Sequence, residues 1–333
     1  MSLADGVAGV LWFGITLYAV FGGADFGAGV WNLLAGGSER GAAPRELIDD
    51  TIGPVWEANH TWLIFDLVIL WTAFPIAFSS VMTTLFIPLS IAALGIVLRG
   101  SGFAFGKMVS ALPARRLLGV IFAISSVLTP FFMGTVVGAI VSGRVPVGNE
   151  GGDPITSWLN PTSILIGVLF VLTSAYLAAV WLVTDARRED KPELERYFTI
   201  RAVATASVAG AIAGVGLFVL HDEAPYVYDG LTSDALPLVL FSVACGLGVI
   251  VGLLRGVRRG TRVLASAAVV AVVWGWGLAQ YPYLLPEKLD IAAAAASDAS
   301  LTALVVVSAI ALVVIGPSLL FLYTLSQRSL LEE

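Results

Sequence analysis

Nine runs of mostly apolar residues follow one another along this chain, at about 7–34, 53–74, 76–99, 116–142, 161–184, 200–220, 235–254, 263–284 and 302–327. Each is close to the ~20 residues an α-helix needs to cross the hydrocarbon layer of a bilayer. Inside that layer backbone amides must be satisfied within the segment, so such runs become helices. Composition agrees, with 58% of the 333 residues hydrophobic and 13% charged, against about 25% charged in soluble domains. The expected fold class is an all-α integral membrane protein with nine transmembrane helices and no soluble domain. The expected grouping is a first four-helix bundle over 1–142, a second over 161–284 and a ninth helix over 302–327. A tight corner at Pro75 should join the second and third helices. The first run has no Lys or Arg before Leu11, and it is longer than the apolar part of a cleavable signal, so it is read as a retained helix.

Positive charge then sets direction. All of the 18 Lys and Arg residues except Arg144 and Lys288 fall on one side when the loops alternate, counting Arg99 in the loop after the third helix. The N-terminus is therefore expected outside and the C-terminus inside. Tyr226, Tyr228, Tyr281 and Tyr283 fit as anchors at the outer interface. The spacings Gly23/Gly27 and Gly210/Gly214 permit close contact between helices.

Against this apolar background a few ionisable residues stand out. Asp25 lies in the first run; Glu57, His60 and Asp66 lie in the second. An ionisable group within a membrane helix is costly unless it faces protein or water, and it marks a functional site by default. Asp25 falls about 9 residues from the inner end of its helix, roughly 13 Å deep, and Glu57 about 4 residues in, roughly 6 Å. Both could border one wet crevice open to the cytoplasm. Glu57 and His60, three apart, share a helix face, and Asn59 and Asp66 share another, nearly opposite. A helix polar on two faces is expected to be enclosed by other helices or by another subunit.

Each residue also has a plainer reading. Glu57 can complement the positive end of its helix. Asp25 and His60 can be hydrogen-bonded structural groups, and Asp66 can pair with a neighbouring subunit. His221, beside Asp222 and Glu223, reads as interfacial. Cys245 reads as a small buried hydrophobe. The sequence Trp274-Gly-Trp276-Gly-Leu-Ala-Gln280-Tyr281-Pro-Tyr283 could pack a quinone or a haem edge through Trp274, Trp276, Gln280 and Tyr281, or serve as ordinary anchoring. There is no basic tract for nucleic acid. No Walker motif or dinucleotide fingerprint sits at a strand–helix turn, and no metal site is expected.

Three segments together resemble subunit II of the cytochrome bd quinol oxidases. They are Gly22-Gly-Ala-Asp-Phe-Gly-Ala-Gly29, Gly53-Pro-Val-Trp-Glu-Ala-Asn-His-Thr-Trp-Leu63 and Gln280-Tyr-Pro-Tyr-Leu-Leu-Pro286, with Arg99-Gly-Ser-Gly-Phe-Ala-Phe105 a weaker fourth, taken as an inner loop. The resemblance implies a non-haem subunit of a quinol:dioxygen oxidoreductase in a prokaryotic cell membrane, inactive alone. Its partner would be subunit I, which carries haem b, haem d and the quinol site; small single-helix subunits could attach. Quinol would be the substrate, and a structural quinone could bind. Asp25 and Glu57 match positions through which that family draws protons from the cytoplasm for reduction of dioxygen to water; His60 and Asp66 are further candidates for proton transfer. The chain departs from the pattern in having Gly22 where an acid often stands, Glu rather than Asp at 57, and Ala104 and Gly106 in the fourth segment.

The residue inventory agrees with a haem-free chain, since two His, one Cys and four Met cannot comfortably ligate three haems. A proton-coupled secondary transporter or proton channel is the alternative. Transporters tend to carry paired broken helices in corresponding halves, whereas the polar load here is concentrated in the first two helices. A third reading, a purely structural scaffold, predicts that neutralising Asp25 and Glu57 changes little.

Overall fold

The computed structural model describes residues 2–37, 39–52, 56–108 and 112–327. Among them, eight helices are long and apolar enough to span a membrane, or nine if one sharply bent pair is counted as a single span. The first span, Leu3–Leu34, is one rod in three parts: α1 (Leu3–Leu17), a π-turn (Tyr18–Gly22) and α2 (Gly23–Leu34). Ser2 and Asp5 form a reciprocal capping box at its start, satisfying two otherwise orphaned amides. A short helix α3 (Ala42–Ile52) follows, where a loop was expected. Leu47 and Ile48 on α3 are fully buried, which docks it on α2 and α8.

The second and third runs fold differently from expectation in one respect. Helix α4 (Trp56–Ala73) ends at Phe74, and α5 (Pro75–Thr84) leaves at an angle of 116°. Proline at the first helical position needs no amide partner, so it starts a new helix easily while closing the old one. The corner at Pro75 is thus present. The third span, however, is not 76–99: it is α6 (Phe86–Met108), beginning after a second break at Leu85. Arg99, assigned to a loop by its charge, therefore sits well inside a helix.

The remaining spans are α7 (Leu112–Val141), α8 (Pro161–Arg188), α9 (Pro192–Glu223), α11 (Leu236–Leu254), α12 (Thr261–Gln280) and α14 (Asp298–Gln327), with a short α10 (Pro225–Thr232) after α9. After α12 a small antiparallel hairpin, β1 (Tyr283–Leu285) with β2 (Leu289–Asp290), leads into the single turn α13 (Ile291–Ala294). The eighth run therefore stops at Gln280, before Tyr283. In the connection before α8, Asp153 accepts from the amides of Thr156 and Ile155. These bonds hold its carboxyl below the ordinary carboxylate range.

The two halves of the first rod have different neighbours. The N-terminal part, α1, packs on α4 and α14, and the C-terminal part, α2, packs on α7 and α8. Lipid tails are as apolar as leucine, so helices associate here by close packing and hydrogen bonds, not by exclusion of water. Gly27 illustrates this: a side chain at that position would run into the backbone of Ser174 on α8. Beside it, Trp31 donates its indole N–H to the Ala175 carbonyl at 2.8 Å. Gly210 and Gly214 do not play the matching part, since nothing lies near where their side chains would be. The largest buried cluster joins α2, α3, α7, α8, α9, α11 and α12 through residues such as Phe122, Leu177, Phe198 and Val249.

Candidate functional site

The most polar point of the membrane interior is an ion pair between α2 and α6. Arg99 is 1% exposed and Asp25 4%. Arg99 Nη1 donates to Asp25 Oδ2 at 2.8 Å, and Nη2 donates to Asp25 Oδ1 at 2.7 Å and to the Asp25 carbonyl at 3.0 Å. Nε donates to Ser126 Oγ on α7 at 2.9 Å, and that hydroxyl donates to the Phe122 carbonyl at 2.7 Å. The guanidinium also lies against the rings of Phe122, at 4.8 Å, and Phe26, at 5.1 Å. A bidentate fork with four of the five guanidinium N–H groups engaged is the geometry in which a buried charge pair is tolerable.

Asp25 is consequently not at the edge of an open crevice, as its depth alone suggested, but is enclosed and neutralised by Arg99. The reason lies in α6: because the helix continues past residue 99, its cation is delivered to the depth of the acid instead of to the inner loop.

Around the pair stands an aromatic wall. The Phe26 ring lies 6.3 Å from Tyr18 and 5.8 Å from the His60 imidazole, and Tyr18 lies 6.2 Å from His60. The structure thus brings Asp25 and His60, two of the four predicted proton-transfer residues, into one neighbourhood. Glu57 belongs to the first turn of α4, and its side chain lies outside the described residues, as do residues 53–55 of the same motif. Asp66 is buried at 8% exposure, but it lies apart from the pair. Its carboxyl is seated over Gly14 of α1, whose missing side chain leaves the room. Oδ1 of Asp66 is buried with no hydrogen-bond partner among the described residues.

Helix α4 is only partly enclosed: Ile64, Val68 and Trp71 are exposed in this chain. A face polar at Asp66 and a face open at Trp71 coexist on one helix.

The four residues considered for a quinone or haem edge divide into an exposed pair and an inward pair. Trp274 and Tyr281 are exposed. Trp276 turns inward against Trp12, with centroids 4.8 Å apart, and donates to Gln280 Oε1 at 2.8 Å. Gln280 Nε2 in turn donates to the Leu284 carbonyl at 2.9 Å. The inward pair ties α12 to the hairpin.

Three members of the site were missed in the sequence. Arg99 could have been found from the apolar residues that continue beyond it, Phe103 to Phe105, and from the need of a buried acid for a cation. Tyr18 and Ser126 carried no signal of their own.

Residues 3–326 match the family described as cytochrome bd terminal oxidase subunit II. Among curated proteins, the chain is 22% identical to the "Putative cytochrome bd menaquinol oxidase subunit II" of Bacillus subtilis (strain 168), over 96% of this chain and 94% of that one. It is 28% identical to cytochrome bd ubiquinol oxidase subunit 2 of the same organism, over 49% of each. With cytochrome bd-I ubiquinol oxidase subunit 2 of Escherichia coli (strain K12) it shares 24% identity over 66% of this chain and 57% of the other. Its fold is similar to that of a chain in the structure of the bd oxidase from Geobacillus thermodenitrificans, with a TM-score of 0.77, 23% identity and 98% of each chain covered.

Proposed function

Because this chain belongs to the cytochrome bd terminal oxidase subunit II family, and so is a subunit of a quinol oxidase complex in a membrane, we propose that it supplies the proton-uptake side of that complex. The family implies haems in a partner subunit I. In this reading those are haem b and haem d, quinol is oxidised in the partner, and this chain provides no redox centre. Protons enter from the cytoplasm through the region of Glu57, Asp25, His60 and Asp66 and serve the reduction of dioxygen to water.

The observation that carries the reading is the enclosed Asp25–Arg99 pair beside His60. A scaffold gains little from a buried charge pair, since well-packed apolar residues of similar volume stabilise as well or better. Retaining an acid, a guanidinium and an imidazole in one membrane-buried neighbourhood makes physical sense where charge has to be held or moved.

The same reading places the N-terminus outside and the C-terminus in the cytoplasm of a cell carrying the complex in its plasma membrane. Two bundles, 1–142 and 161–284, meet where α2 touches both α7 and α8, and 302–327 forms a ninth helix. Small single-helix subunits attach to the same assembly. The aromatic faces available to a quinone or haem edge on the outer side are those of Trp274 and Tyr281.

A reduced-minus-oxidised visible spectrum of the complex purified through a tag on this chain is the primary test. Haem b and d bands with a larger co-purifying subunit are expected. Glu57→Gln should then lower oxygen consumption with quinol by on the order of tenfold or more with the haem bands retained, and Asp25→Asn should lower turnover per assembled haem by a similar factor. A colourless, folded, solitary chain would overturn the proposal, and turnover unchanged in both variants would remove its proton-uptake part.

A further inference from the structure

The first rod carries a polar group that the proposed route has not used. Tyr18 is 9% exposed, in the middle of the span, and its hydroxyl is buried with no hydrogen-bond partner among the described residues. Burying an unpaired hydroxyl is unfavourable, so its retention requires an explanation. Phenylalanine would fill the same space without that cost.

Three features hold the ring in place. It belongs to the π-turn Tyr18–Gly22, a distortion frequently found at functional sites. Gly22, one turn on, leaves the room: a side chain there would press on Tyr18 Cε2 at 2.8 Å. Phe26 and His60 meet the ring edge-on from the inner side.

On the outer side, Gly14 lies four residues before Tyr18 and hence on the same face of α1. That is where the carboxyl of Asp66 is seated, with Oδ1 unpartnered. The charged and titratable groups within electrostatic reach of the hydroxyl are Asp25 and Arg99 from α2 and α6 and Asp66 from α4, with the His60 ring alongside.

Two unpartnered buried oxygens, one phenolic and one carboxylic, thus lie along a single face of the first rod, with His60 at its inner end. We propose that Tyr18 is the connecting group of this seam, passing protons between His60 and Asp66. In the step, a protonated imidazole gives its proton to Tyr18 Oη while the phenol gives its own to Asp66 Oδ1, directly or over a bound water. One N–H and one O–H bond break and two O–H bonds form. The phenol ends as it began, no electron moves, and a charge-separated pair becomes two neutral groups. The inference rests on the proton-uptake reading and extends it with a residue and a direction, outward along α1.

The test uses the intact complex purified through this chain, with haem bands as the check of assembly. Tyr18→Phe keeps the ring and removes only the hydroxyl. Turnover with quinol should fall by on the order of tenfold, the loss should vary with pH, and the solvent deuterium isotope effect should rise, a change that a packing role would not produce. Asp66→Asn should do the same. If Tyr18→Phe keeps wild-type turnover and isotope effect while Asp25→Asn or Glu57→Gln is impaired, the role of Tyr18 is overturned and the broader reading stands. If all four variants match the wild type, both fall together. Should Tyr18→Phe fail to assemble, Gly22→Ala, which displaces the ring without deleting its hydroxyl, decides: unchanged turnover and isotope effect there would overturn the role, and the same impairment would support it.

Discussion

Arg99 shows what a single misplaced charge does to a reading of a membrane chain. In sequence it looks like the end of a helix, because arginine next to glycine and serine usually marks a loop. In the structure it is held by Asp25 and Ser126 and framed by Phe26 and Phe122. Removing one partner of such a pair leaves an uncompensated buried charge, at a cost of about 3–5 kcal/mol, whereas removing both together is far cheaper. Arg99→Met alone should therefore sharply reduce the yield of assembled complex. Asp25→Asn combined with Arg99→Met should recover much of that yield without recovering turnover. A double-mutant cycle on thermal stability of the purified complex measures the coupling, and strictly additive single effects would argue against a coupled pair. Asp25 and His60 were legible as candidates because ionisable residues are rare in bilayer-length runs. Arg99 was not, because the same rarity made it look like a boundary.

At the scale of elements, the long helices were legible and the small departures were not. Lipid forces each span to be apolar throughout, so α8, α11 and α12 are close to where their hydropathy puts them. The amphipathic α3 escaped because it does not cross the membrane. The break at Leu85 escaped because Thr83, Thr84 and Pro88 around it are all tolerated within an otherwise apolar run. The π-turn has no compositional mark. Contacts between helices depend on local shape, and Gly27 is the clearest example. Gly27→Leu would drive a side chain into the Ser174 backbone and should separate α2 from α8. Expected outcomes are poor accumulation of the complex and early loss of haem absorbance on heating. Gly210→Leu, at an open site, should leave both unchanged, and the comparison of the two controls for the effect of a larger side chain alone.

For the whole molecule, the distribution of Lys and Arg still favours a cytoplasmic C-terminus after Arg99 is moved from a loop to the interior, because the other inner-side cations remain. A reporter fused after the last residue should be fluorescent as a cytoplasmic protein and inactive as an exported phosphatase; the opposite pair of signals would reverse the orientation. The direction matters mechanistically, since it sets which end of the seam formed by His60, Tyr18 and Asp66 faces the source of protons. The chain's own charge distribution, with acid and base in its interior and most cations on one side, agrees with its place as a subunit of a larger membrane complex.

The π-turn has one more consequence, which is one of phase. In an ordinary α-helix each residue advances the side-chain direction by about 100°, so a rod that starts facing one neighbour stays committed to a drifting but predictable set. The wider turn at Tyr18–Gly22 resets that count once, mid-membrane. Gly14 can then address α4 while Gly27 addresses α8 on the same rod. Wound as a continuous α-helix, the same residues would swing the half after the turn by about 100°, the rotation of the one residue that the wider turn absorbs. Asp25 would turn away from Arg99, although no residue of the ion pair had been changed. The winding between Gly14 and Asp25 is therefore as much a part of the site as the side chains are.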